Sequence, residues 1–322
     1  MTDNGTNRTD RTDRHNRSDR HTGDHARHRT TDPDLRRALR RETAGTLALL
    51  ADEEDFTAMR QYETFAFDDH ARYLDHVEDL LHTLTTHGGH TTVALFDPED
   101  YADYCADTAL DPDHPTSRAR YTAERAATGP RVTYTGQPLA TLVPTLIDTA
   151  VRRATWEYAT MLLAETGPCA DCGQDIGRAS FDRASQLLLR LLDAAGPGTH
   201  HLVCSVPADD EQLIATLHVT RDTTGPARID SAEGAEFVTV LAAGIALHSP
   251  GGLVLRTTTP GARDRLHGWR LHAGRLHPLT EAEVFDAYCT DARTGEPIAP
   301  EPHVDYRPGF PLAPPHDETH PH

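Results

Sequence analysis

The feature that most limits the folds open to this chain is a change of hydrophobic period at Gly196-Pro197-Gly198. Before it, apolar residues recur three and four apart, the spacing of one helix face. After it they alternate in twos, the spacing of half-buried strands. A chain that switches period in this way is expected to be α/β (or α+β), with a helix-rich N-terminal half and a strand-rich C-terminal half around one mixed sheet.

In the first half, a helix is expected to open at Asp32-Pro33 and to carry Leu35, Ala38, Leu39, Leu47 and Leu50. A second covers about Asp55 to Tyr62. A third follows Asp68, with Tyr73, Leu74, Val77, Leu80, Leu81 and Leu84 on one face. Thr91 to Phe96 reads as a strand that runs into Asp97-Pro98, an N-cap with proline at the first helical position. A helix from about Pro115 to Ala127 and a short strand from Arg131 to Thr135 come next. The longest helix is expected from about Val143 to Glu165, with Ile147, Val151, Ala154, Tyr158, Met161 and Leu162 buried. A last one covers about Gly177 to Ala195.

In the second half, His200 to Val206 and Leu213 to Thr220 read as a hairpin, and Ser231 as the cap of a helix through about Leu247. Leu253 to Thr259 is a strand, Trp269 to Leu279 a tight hairpin around Ala273-Gly274, and Thr280 with Glu283 a capping box. The expected organisation is a disordered arm at 1–32, a globular body at 33–297 with a sub-boundary near 167–173, and a Pro/His-rich tail at 298–322 without regular structure.

Charge narrows the partners. The net charge is -19, and all 31 basic residues are arginine. Such a balance argues against a nucleic-acid or anionic-membrane binder, because neutralising phosphates needs a positive surface. No apolar run reaches the ~18 residues of a membrane span, and the N-terminus shows no apolar signal region, so a cytoplasmic address is expected. Five scattered cysteines fit free or metal-bound thiols better than a disulfide framework.

One short motif carries chemistry. Cys169-Ala170-Asp171-Cys172-Gly173 is a C-x-x-C-G turn, the shape in which two thiolates grip one zinc ion while backbone N–H groups point at the sulfurs. A structural zinc needs four ligands. His201 and Cys204 are the nearest candidates to complete a set of Cys169, Cys172, His201 and Cys204, although a regular strand would send those two side chains to opposite faces; Cys105, Cys289 or a second subunit stay open as sources of the missing ligands. A redox pair and a pair of inert loop thiols stay open as readings. Asp75, Asp79 and His82 share one face of the third helix, opposite its apolar stripe, and read as a solvated face. In the Ala273-Gly274 hairpin, Arg270, His272, Arg275 and His277 share the face away from Trp269, Leu271 and Leu276. Like charges set opposite one another invite an anion. The sequence holds no P-loop, zincin helix or nucleophile elbow.

With its lysine-free body, the segment Thr91 to Tyr101 and the Cys169–Gly173 turn, the chain resembles an uncharacterised protein of actinobacterial type over about residues 33–297. That resemblance implies no activity. The expected function is a non-catalytic binding or regulatory protein with a structural zinc at the C-x-x-C-G turn. The alternative is an enzyme acting on a small anionic substrate at the basic hairpin. The corresponding partners are a protein or a small anionic ligand.

Overall fold

Two sheets organise the chain, one short and early, one long and late. They are seen in a computed structural model that describes residues 45–86, 90–209, 211–291 and 293–312. The arm expected at 1–32 and the helical residues expected at 33–44 lie outside that range. Among the described residues there are 8 α-helices and 10 strands, with the helices mainly in the N-terminal half, so the fold is α+β. No helix among them is long and apolar enough to cross a membrane.

The early sheet has the order β1-β2-β3, with β1 (Thr46–Leu49) parallel to β2 (Thr92–Leu95) and β3 (Arg131–Thr133) antiparallel to β2. Helices α1 (Glu53–Met59), α2 (His70–Thr86), α3 (Pro98–Thr108), α4 (Pro115–Glu124) and the start of α5 (Leu139–Glu165) enclose it. Leu49, Val77, Leu81, Val93, Tyr101, Leu142 and Leu146 belong to the resulting core. Asp97 caps α3 as expected, accepting hydrogen bonds from the N–H groups of Glu99 at 2.9 Å and Asp100 at 3.0 Å.

Leu47 belongs to a strand, not to the helix expected there. Four apolar residues buried from both sides look alike in a helix and in a parallel strand. Pairing with β2, distant in sequence, decides between them.

Beyond α6 (Ile176–Ala195) comes the long sheet, made of β4 (Gly198–Ala208), β5 (Glu211–Arg221), β6 (Arg228–Ile229), β7 (Gly251–Thr258), β8 (Asp264–His272), β9 (Arg275–Pro278) and β10 (Val304–Arg307). Its order is β10-β8-β7-β4-β5-β6, with β9 also on β8. β10 runs parallel to β8 and the other pairs are antiparallel, so the sheet is mixed. His200, Leu202, Cys204, Val206 and Ala208 alternate into the core under α7 (Ser231–Ala246). α7 is buried from Phe237 through Ile245, between the sheet and helices α5 and α6. Its cap is Asp230, which accepts from the N–H groups of Ala232 and Glu233, rather than the expected Ser231. On the other face, α8 (Glu281–Cys289) covers Leu266 and Val304 through Val284. The Thr280–Glu283 capping box that opens α8 is present.

Two further expectations fail. Ile147, Val151 and Met161 were to be buried on α5, yet they are 43%, 58% and 46% exposed. Leu142 and Leu146 face the first core, and Ala159 and Leu162 face the second. Apolar residues cover so much of this helix that periodicity cannot choose the face. The tail is not structureless either: β10 lies within it. His267 and Phe310 also meet there, their rings 5.4 Å apart.

Candidate functional site

The C-x-x-C-G turn joins α5 to α6 as a closed loop. Pro168 and Asp175 form an antiparallel bridge across its base. The Cys169 N–H donates to the Gln174 carbonyl at 2.8 Å, and the Gly173 N–H donates back to the Cys169 carbonyl at 2.8 Å. Gly173 has φ +73°, a left-handed backbone that side-chain-bearing residues rarely adopt. Asp175 ends the loop by capping α6 at the Arg178 N–H. The geometry therefore follows from the glycine, the cap and the helix ends rather than from core packing.

The two thiols are not joined in a disulfide; Cys169 is half-buried and Cys172 is exposed. The backbone N–H groups of Cys172 and Asp171 point at the Cys169 sulfur and hold its thiol below the usual range, with the Cys172 side chain adding to the effect against slight burial. A turn of this kind stabilises thiolate whether the sulfur meets a metal or an oxidant.

The structure does not bring His201 and Cys204 to this turn. Cys204 points into the core, where burial pushes its thiol up to about 12. His201 points to the opposite face of β4 and stacks on His218 at 4.6 Å. The four-residue set read from the sequence is therefore split by strand alternation. Cys105 and Cys289 are buried as well. Among the described residues no three or more His, Cys, Asp or Glu side chains gather as a metal cluster. His200 is fully engaged, with Thr257 Oγ1 on one ring nitrogen and the Gly196 carbonyl on the other, each at 3.0 Å. Asp75, Asp79 and His82 are exposed on α2, as read.

The basic hairpin has the expected register, His272 opposite Arg275, Leu271 opposite Leu276 and Arg270 opposite His277. Ala273 and Gly274 both have positive φ, as a two-residue loop of this type requires. Arg270, His272, Arg275 and His277 are exposed together. The Arg270 guanidinium is already met by the Glu283 carboxylate at 3.0 Å. That ion pair answers part of the like-charge repulsion from within the chain.

Two other features escaped the sequence reading. An open cleft of about 590 Å³ lies between α8 and β10, lined by Glu281, Phe285, Asp286, Asp305, Tyr306 and Arg307 with Ala282 and Val304. Phe285 and Tyr306 meet edge to face at 5.2 Å. Only recognition of β10 could have exposed this cleft.

The second feature is acidic. Asp52 and Asp97 sit just beyond the carboxyl ends of the parallel strands β1 and β2. Burial, then the charges of Asp52, Asp97, Glu54 and Glu99, raise the Asp55 carboxyl from 3.8 to about 6. The folded protein thus keeps a proton that the unfolded chain has lost between about pH 4 and pH 6, so this group makes stability fall as pH rises through that window. Asp55→Asn should remove this slope and add on the order of 1 kcal/mol at neutral pH, the full shift being reduced by the water around a half-buried group. Urea midpoints of both proteins across the window provide the check. Parallel curves would show that Asp55 titrates normally.

Residues 34–137 match a domain of unknown function (DUF8829), the region that holds the early sheet and helices α1 to α4. No curated protein and no solved structure matches the chain.

Proposed function

We propose that this is a non-catalytic binding or regulatory protein that holds a soft divalent metal, zinc foremost, on the thiolates of Cys169 and Cys172. The observation that carries the reading is the shape of the turn. Two thiols share one closed loop at the surface, and backbone N–H groups already point at the Cys169 sulfur. Those donors offset thiolate charge without drawing on side chains, as zinc-binding turns require. A cytoplasmic setting, where thiols stay reduced, suits such a site. A protein partner would find the exposed Phe285 and the half-buried Tyr306 beside an edge strand at the cleft between α8 and β10, where the two rings meet three carboxylates. The anion-binding alternative at Arg270, His272, Arg275 and His277 has weaker support, because Glu283 already holds Arg270.

Cobalt substitution tests the metal reading. Reduced protein titrated with Co(II) should develop the intense near-ultraviolet absorption of cobalt–thiolate bonds, and zinc should abolish it. Cys172→Ser should lose most of that signal while keeping its far-ultraviolet circular dichroism, because the residue is exposed and outside the core. Absence of the band at micromolar cobalt would sink the proposal.

A further inference from the structure

The metal reading leaves a ligand deficit, and this inference rests on that reading. Zinc in a structural site takes four donors. One chain presents two at the turn, and the other described cysteines, with His200 and His201, are committed elsewhere. Cys105 and Cys204 lie in the first and second cores, and Cys289 is buried on α8. His200 spends both ring nitrogens on Thr257 and Gly196. His201 stacks on His218, across the sheet from Cys204. No third donor gathers with Cys169 and Cys172 among the described residues.

We infer that a second copy of this chain completes the site, so that one zinc ion is held by Cys169 and Cys172 of two molecules. The contact is isologous: each copy brings the same turn to the same ion, and a two-fold axis passes through the metal. The surroundings suit such a contact. Cys172 is exposed, and the helices on either side of the turn carry exposed apolar side chains, Met161 on α5 and Phe181 on α6. These would be covered as the copies approach. The chemistry balances without a redox partner. Four thiols give up four protons, and four zinc–sulfur bonds form, leaving a site of net charge two minus that the N–H groups of Asp171 and Cys172 in each copy help to offset.

Charge makes the association conditional. Each chain carries a net charge of -19, so two copies repel when no cation joins them. Pairing is therefore metal-dependent, and it weakens at low salt, where repulsion is least screened.

The test uses the full-length, reduced, metal-stripped chain. Zinc or cobalt is added stepwise while mass is followed by sedimentation equilibrium. The expected result is saturation at one metal per two chains, a mass twice the 35.4 kDa of the chain, a cobalt spectrum of four-thiolate type, and reversal by a chelator. One metal per chain with the mass unchanged would place the other two ligands in the same molecule. The metal reading would then survive and this inference would fall. No cobalt–thiolate signal would remove both. The Cys169→Ser/Cys172→Ser double variant guards against bridging by the many histidines at the chain ends, and it should stay at 35.4 kDa at the same zinc concentration. If it pairs as well as the natural chain, histidines make the bridge and the inference is overturned.

Discussion

Trp269→Ala should lower stability by about 3–5 kcal/mol, the usual range for emptying a large aromatic site in a core. Trp269 is completely buried on β8 and packs within the second core. Its ring stands edge to face with Phe310 at 4.8 Å, and its indole N–H donates to the Phe310 carbonyl at 3.0 Å. Truncation therefore opens a cavity and also releases the segment that follows β10. Trp269→Phe should cost less, about 1–2 kcal/mol, because a ring remains and only the carbonyl loses its partner. Trp156 is the only other tryptophan, and it serves as the control. It is half-buried on α5, outside both cores, with the Arg153 guanidinium 4.7 Å from its ring centre. Trp156→Ala should cost under about 1 kcal/mol. Urea denaturation followed by circular dichroism reads all three. Equal losses at Trp269 and Trp156 would contradict the packing.

Gly177→Ala should cost about 2–3 kcal/mol, although alanine ordinarily favours a helix by ~1 kcal/mol over glycine. A Cβ at Gly177 would stand 2.5 Å from the Leu163 carbonyl oxygen and 3.1 Å from its carbon. Both are backbone atoms of α5, so no rotamer change relieves the clash. The start of α6 must move off the end of α5. The hydrogen bond from the Ile176 N–H to the Gly167 carbonyl, 3.1 Å long, then strains the loop that holds both thiols. The same variant is accordingly expected to weaken cobalt uptake. A stabilised Gly177→Ala protein with unchanged cobalt binding would mean that the two helices do not touch there.

These two positions were not equally legible. Trp269 was placed on the apolar face of a hairpin whose register follows from Ala273-Gly274 and alternation alone. Gly177 was read only as the start of a helix, because the atom it must avoid lies on α5. The same division runs through the chain. Asp97-Pro98 and the Thr280–Glu283 box act within one helical turn, and both are as read. β1 and β10 each pair in parallel with a strand some 40 or more residues away, and both were missed.

The candidate site divides in the same manner. The turn at Cys169 and Cys172 was visible because a glycine, two thiols and two helix ends define it locally. The proposed companions His201 and Cys204 were not, because a strand sends neighbours three apart to opposite sides.

By itself the sequence determined the switch from helix to strand, the helix caps, the register of the basic hairpin and the thiol turn. Each of these rests on interactions among residues a few positions apart, which composition and spacing state directly. Only the tertiary structure decided which face of α5 is buried, that residues 46–49 and 304–307 are strands, and that no described third donor joins the thiols. Those outcomes depend on burial against partners remote in the chain, and several arrangements satisfy the same local pattern until packing selects one.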